Sequence, residues 1–167
     1  AVFLQRAFDQ AHSDIIAAGR EASPPVEPLT TGVACLVTDD RAVWAHVGDS
    51  RAYLLRDGEL RRLTDDHSWV SEQVRLGLLT DEEANRHPMR NIITRALGNR
   101  EDLEVDLTEE TVQAGDVFLL CSDGLNSMLS DDEIRTTEDP LEHPGVRMFD
   151  HVDGPPGLDP LGHPPVF

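Results

Sequence analysis

Two aspartates occupy positions from which a carboxylate can do chemistry. Asp49 follows Gly48 at the end of an apolar stretch. Asp123 follows the most apolar run of the chain, Val117 to Cys121, and precedes Gly124. A carboxylate at the end of a rigid strand is held in fixed geometry, as a metal ligand or a catalytic group must be. Hard divalent cations such as Mg2+ and Mn2+ take oxygen ligands, need few protein groups and keep waters in the remaining positions. The same dipeptides also have an ordinary use, because Asp-Ser and Asp-Gly are common turn and cap pairs. Spacing alone leaves both readings open.

Other reactive side chains carry weaker signals. His46 alternates with the core-facing valines and reads as a partly buried strand histidine, and His67 suits a structural hydrogen bond. His143, His151 and His163 are spaced too widely for a compact metal site. Arg51 and Arg95 could bind phosphate, but arginines so placed more often pair with local carboxylates. Cys35 and Cys121 sit in apolar runs without zinc-site spacing or a basic neighbour, which argues against thiol chemistry. Buried free thiols in a reducing compartment are expected, and the chain is read as cytoplasmic.

Consecutive strands must position the two aspartates. Helical spacing of apolar residues spans residues 2 to 18, with Gly19 as the stop, and a proline-bearing loop follows over 20 to 30. Four strands come next: residues 32 to 38, 42 to 47, 51 to 56 and 59 to 63. They read as one antiparallel meander with an Asp57-Gly58 hairpin turn. Ser68 caps a helix running to Gly77, and Thr80 opens a second with a capping box. Residues 91 to 98 form a short apolar element closed by Gly98. Strands resume at 103 to 107 and 116 to 121, followed by short helices over 125 to 129 and from Ser130. Strands in succession, without βαβ alternation, make this an α+β chain.

From residue 136 the character changes. Seven prolines fall among Pro140, Pro144, Pro155, Pro156, Pro160, Pro164 and Pro165 with no helical or strand period, so 136 to 167 reads as an irregular Pro/Gly-rich tail after a domain over 1 to 135. The formal net charge is −18, from 32 acidic residues against 14 basic ones, all arginine. That balance disfavours nucleic acid and anionic membranes as partners. No apolar run approaches the ~20 residues of a membrane-spanning helix.

Five strings in order resemble the metal-dependent type 2C (PPM) protein phosphatases, and the last two match the bacterial branch. They are Thr31-Gly32-Val33-Ala34; His46-Val47-Gly48-Asp49-Ser50-Arg51-Ala52-Tyr53-Leu54; Leu63-Thr64-Asp65-Asp66-His67-Ser68; His87-Pro88-Met89-Arg90-Asn91-Ile92-Ile93-Thr94-Arg95-Ala96-Leu97-Gly98; and Gly115 through Leu125. The resemblance implies a four-layer αββα sandwich of antiparallel sheets and hydrolysis of phosphoserine and phosphothreonine in proteins. It implies two Mg2+ or Mn2+ ions, with a third in bacterial members, activating water for attack on phosphorus. Asp123 then matches a ligand of the metal centre and Asp49 a residue that helps hold the third ion. Residues 68 to 98 match a mobile flap beside the site. Phosphorylated proteins and a Ser/Thr kinase are the implied partners.

The family's upstream Glu-Asp and Asp-Gly motifs and its Gly-Gly-x-Asp-Asn string are not found in the chain. Asp9, Asp14, Glu21, Asp153 and Asp159 do not replace them, because each lacks the motif around it. The sandwich is therefore read as incomplete and the chain as a fragment. It is expected to be inactive by itself, since two carboxylates cannot build a two-metal centre. The change at residue 136 is read as a frame change or as divergence. A non-catalytic pseudophosphatase that binds phosphoproteins or a kinase is the alternative function, and a generic acidic cation-binding domain is a third.

Overall fold

Strand β2 (Arg41–Val47) is apolar on both faces, and a strand of this kind must be covered from both sides. In the computed structural model, which describes residues 1–38, 40–99 and 102–136 and the backbone of 147–150, it is. Val43, Ala45 and Val47 pack against Leu4 and Phe8 of helix α1 (Val2–Glu21). Ala42 and Trp44 point the other way and meet Ala52 and Leu54 of β3 (Arg51–Arg56) and Phe118 of β6 (Val117–Cys121). The Trp44 and Phe118 rings lie 5.2 Å apart, tilted across the interface. Alternate residues of β3 and β6, Tyr53, Leu119 and Cys121, pack against Leu125 of α4 (Asp123–Asn126) and Ile134 of α5 (Asp131–Thr136). The period-two alternation of three strands thus builds four layers: helix, sheet, sheet, helix.

The first sheet has the order β1-β2-β5, with β1 at Gly32–Val37 and β5 at Asp106–Thr111. The second has the order β4-β3-β6-β7, with β4 at Glu59–Arg62 and β7 at Arg147–Asp150. All pairings are antiparallel.

The expected four-strand meander is therefore split. β1 and β2 pair with each other, β3 and β4 pair with each other, and the chain crosses between sheets at Gly48-Asp49-Ser50. Gly48 has φ +109°, and a Cβ there would run into the Thr31 side chain. Its carbonyl accepts the His67 N–H (2.8 Å), and its own N–H donates to His67 Nδ1 (3.0 Å). These bonds satisfy the crossing backbone without a hairpin ladder, so a short link between two apolar strands carries no local signal of which sheet comes next.

Other boundaries shift for similar reasons. Helix α1 continues through Gly19, which does not stop it. Gly19 is buried, and an added Cβ would collide with the Pro28 ring and the Val26 carbonyl, so the residue is there for close packing. Strand β5 runs over Asp106–Thr111, later than the expected 103 to 107, because pairing with β2 sets its register from His46↔Asp106 to Arg41↔Thr111. Leu103 and Val105 still pack on the α1 side. The 91 to 98 stretch is held by two isolated bridges, Ser68↔Ile93 and Thr30↔Leu97, with no regular element. The Asp57-Gly58 turn has both φ angles positive (52° and 79°), as a two-residue hairpin requires.

Ser68 caps α2 (Trp69–Arg75), and Thr80 forms the expected capping box on α3 (Asp81–Arg86). In the segment read as an irregular tail, the backbone of 147–150 pairs with the free edge of β6 and becomes strand β7, where an open edge supplies backbone partners that composition does not reveal. The rest of that segment from 137, including His143, His151, His163, Asp153 and Asp159, lies outside the described residues, as does Asp39 of the first expected turn.

Candidate active-site cleft

Antiparallel pairing of β3 and β6 puts Arg51 opposite Cys121. Asp49 lies two residues before the first and Asp123 two residues after the second, so both emerge at the same end of the second sheet. They line one cleft of about 870 Å³. Asp49 is half-buried and Asp123 exposed at the start of α4. The Asp49 carboxyl is held above its ordinary value, first by burial and then by the negative charge of Asp123. The negative charge of Asp123 thus adds to the cost of ionising Asp49.

The floor of the cleft is a connected polar network. Arg51 Nε and Nη2 donate to the two oxygens of Asp66 at 2.9 and 2.6 Å, and Nη1 donates to Tyr53 Oη at 3.2 Å. Tyr53 Oη in turn donates to Asp131 Oδ1 (3.0 Å) at the head of α5. That helix is fixed by Ser130, whose Oγ accepts the Glu133 N–H while Glu133 Oε2 accepts from the Ser130 N–H and hydroxyl. Arg51 is thus committed to Asp66, and Arg95 to Asp106 (2.8 Å), as expected for arginines beside local carboxylates. Neither is available as a phosphate grip.

Sequence reasoning did not single out Asp66, Tyr53 or Asp131 for the cleft. The Asp65-Asp66-His67 string and the Ser130 capping box marked their neighbourhoods, but only the register of β3 against β4 and β6 brings them to one end. Arg75 and Arg90 also line the cleft, and no local pattern distinguished them.

Among the described residues, one group of three metal-ligating side chains lies close together: His46, His67 and Asp106, with ligand atoms within 4.8 Å. Its hydrogen bonding fits a structural tie and not an ion. His67 Nδ1 accepts the Gly48 N–H, so Nε2 carries the ring proton and donates it to Asp106 Oδ2 at 3.0 Å. A metal at Nε2 would need the lone pair that this tautomer lacks there, and Arg95 already holds Asp106 Oδ1. Burial alone would lift the Asp106 carboxyl, but the bonds from His67 and Arg95 outweigh it and hold the group below its usual range. Burial lowers His67 and, with the nearby His67 ring 4.6 Å away, brings His46 down to about 4. His46 faces away from the valines as expected, but it is 2% exposed and so fully buried, because the second sheet covers that face.

Both thiols are free, and burial pushes them up to about 12 at Cys35 and about 11 at Cys121, which rules them out as thiolate nucleophiles at neutral pH. The donor set of the cleft, all oxygen and mutually repelling at Asp49 and Asp123, suits a hard divalent cation. Two carboxylates complemented by solvent satisfy one such ion and fall short of two.

The chain is similar in sequence and fold to known proteins. Protein phosphatase PhpP of Streptococcus pneumoniae is 40% identical over 133 residues, covering 78% of this chain and 54% of that protein. The serine/threonine protein phosphatase PstP of Mycobacterium tuberculosis is 46% identical over 126 residues, covering 75% of this chain and 24% of that protein. The chain spans about half the length of the streptococcal relative and of the Listeria monocytogenes serine/threonine phosphatase that it also matches. The crystal structure of the Staphylococcus aureus serine/threonine phosphatase Stp1 superposes with a TM-score of 0.77 at 34% identity, covering 84% of this chain and 56% of that one. The catalytic domain of PstP, solved in complex with two manganese ions, superposes with a TM-score of 0.66 at 42% identity, covering 74% and 51%. The family model for protein phosphatase 2C matches residues 1–158, past the compositional change at 136. A family match over most of the chain, with relatives of this identity and folds that superpose, has one reading: the chain belongs to the protein phosphatase 2C family of metal-dependent serine/threonine phosphatases.

Proposed function

We propose that this chain is the central part of a metal-dependent phosphatase acting on phosphoserine and phosphothreonine in proteins, with Asp49 and Asp123 as its metal ligands. The observation that carries the reading is the convergence of these two carboxylates, from opposite ends of paired strands, on one cleft. A bound Mn2+ or Mg2+ supplies Lewis-acid activation of water and charge neutralisation on phosphoryl oxygens. The chain's own part is to bring the two carboxylates to one end of the second sheet and keep Arg51 occupied by Asp66, so that Arg51 does not neutralise them.

With two carboxylates the chain binds fewer ions than a two-metal centre needs. By itself it is therefore inactive, and the same is true of a third-ion site at Asp49 without its core. The substrates are phosphorylated proteins, and a Ser/Thr kinase is the partner whose action is reversed. Free thiols, half-buried at Cys35 and buried at Cys121, support a reducing cytoplasmic setting, and no helix among the described residues is long and apolar enough to cross a membrane.

The test is a manganese titration by calorimetry of the chain and of Asp123→Asn, together with a manganese-dependent phosphatase assay. Weak manganese binding that Asp123→Asn abolishes, without turnover, is expected. Clear turnover by the 167 residues would refute inactivity, and manganese binding indifferent to Asp123→Asn would refute the ligand assignment. Phosphoprotein or kinase binding by the chain without any metal uptake would favour the pseudophosphatase.

A further inference from the structure

Among the described residues, no other residue donates a hydrogen bond to the Asp49 carboxylate, so the direction of that group is inherited from its backbone. Its two chain neighbours are each tied to residues far away in sequence. Ser50 Oγ shares a hydrogen bond of 2.8 Å with Thr31 Oγ1. On the other side, one residue takes both polar groups of Gly48. The Gly48 N–H donates to His67 Nδ1 (3.0 Å), and the Gly48 carbonyl accepts the His67 N–H (2.8 Å). Rotation at Gly48 breaks one bond or the other. A glycine at φ +109° has little else to hold it in place, because no Cβ limits its backbone.

His67 is itself held at every polar atom. Its carbonyl accepts the Thr94 N–H (2.8 Å), and Nε2–H donates to Asp106 Oδ2 (3.0 Å). Asp106 Oδ1 accepts from Arg95 Nη1 (2.8 Å). The imidazole is fully buried and lies beside the ring of His46, whose backbone stands opposite Asp106 in the first sheet. One side chain thus joins the first sheet to the link that carries Asp49 into the second. The bond to Asp106 also chooses the tautomer: with the proton at Nε2, Nδ1 is left as the acceptor that the Gly48 N–H needs. The reverse tautomer would set two N–H groups against each other. A carboxylate that orients an imidazole is a known way to tune a metal ligand. Here the imidazole orients the peptide that carries the ligand.

We propose, on the reading of Asp49 as a metal ligand, that His67 is a positioning residue for it, acting through the Gly48 peptide and oriented by Asp106 and Arg95. Two carboxylates at separate strand ends share an ion only if the span between them is kept. The link through His67 fixes the Asp49 end of that span.

The experiment compares manganese affinity, by calorimetry, of the 167-residue chain and its variants. His67→Asn places an amide oxygen where Nδ1 stands, so it keeps the Gly48 bond and gives up Asp106. His67→Gln places its amide where Nε2 stands, so it keeps Asp106 and gives up Gly48. His67→Gln is expected to weaken manganese binding about three- to tenfold, below the ~10–100-fold of a residue bonded directly to a ligating atom, while His67→Asn stays within about twofold of the parent. Without metal, amide hydrogen exchange at Gly48 stays slow in the parent and in His67→Asn and quickens in His67→Gln.

Asp106→Asn tests the same link should His67→Gln not fold. Its one remaining oxygen goes to the Arg95 guanidinium and its NH2 faces Nε2, which reverses the tautomer and weakens manganese binding as His67→Gln does. Equal losses in His67→Asn and His67→Gln point to a structural role alone and overturn the proposal, as do unchanged affinities in His67→Gln or, if that variant is unfolded, in Asp106→Asn. Asp49→Asn separates the two readings. If it leaves manganese binding unchanged, the ligand assignment and the positioning role both fall. If it weakens binding and the His67 pattern is absent, only the positioning role does.

Discussion

Removing Arg51 should unmask how much of the cleft floor depends on one ion pair. The side chains of Arg51 and Asp66 are only 17% and 10% exposed and share two short hydrogen bonds of 2.9 and 2.6 Å. Arg51→Met keeps most of the stem's volume but leaves Asp66 buried without its counter-charge and frees Tyr53 Oη from its donor. Breaking a buried pair by deleting one partner costs about 3–5 kcal/mol, and the residual exposure places this site at about 3 kcal/mol. For a domain of this size that is a fall of about 6–12 °C in Tm. Asp66→Leu is expected to cost a similar amount, because it strands the guanidinium. The double variant, with no buried charge left, should recover much of the loss, since apolar replacement of a whole pair is often close to neutral. Urea unfolding followed by circular dichroism gives all four free energies. A coupling energy under about 0.5 kcal/mol, the level of independent sites, would refute the claim that the pair acts as a unit.

The fold makes three further commitments. His46 is neutral in the folded chain, with its pKa lowered to about 4, and titrates near 6.5 when unfolded, so the unfolded chain binds more protons between those values. Stability is full above pH 6.5 and falls by about 3 kcal/mol as pH drops toward 4; a urea midpoint that stays flat over this window would contradict it. Asp49, held above its ordinary value, works in the opposite sense at the acid end, and Asp49→Asn separates the two contributions. Gly19→Ala should lower Tm, because its methyl meets the Pro28 ring and the Val26 carbonyl, whereas helix propensity alone predicts a gain of about 1 kcal/mol; the sign of the shift decides. Asp123→Asn should lower the Asp49 pKa by removing its neighbouring charge, which carboxyl chemical shifts against pH will report, and an unmoved Asp49 would refute a contribution from Asp123, leaving burial and Asp66 to raise it.

The sequence by itself determined the strands, their caps and the two carboxylates. Alternation marked β2 and a continuous apolar run marked β6, the Asp57-Gly58 turn joined β3 to β4, and Ser68 and Thr80 capped their helices, because each of these depends on residues close together in the chain. Asp49 and Asp123 were legible for the same reason, as charged groups at the ends of apolar runs. What the tertiary structure decided is how these pieces pair. The crossing at Gly48, the later register of β5, the passage of α1 through Gly19 and the β7 edge all depend on partners far away in sequence. The cleft itself is such a feature. Asp66 and Asp131 reach it, with Tyr53 buried beneath and bonded to Asp131, only because β3, β4 and α5 converge there. His46 is buried only because the second sheet covers it. Short-range pattern fixes which residues face the same side of an element, and long-range pairing fixes which elements share an end, so the two carboxylates could be picked out early and the cleft they share could not.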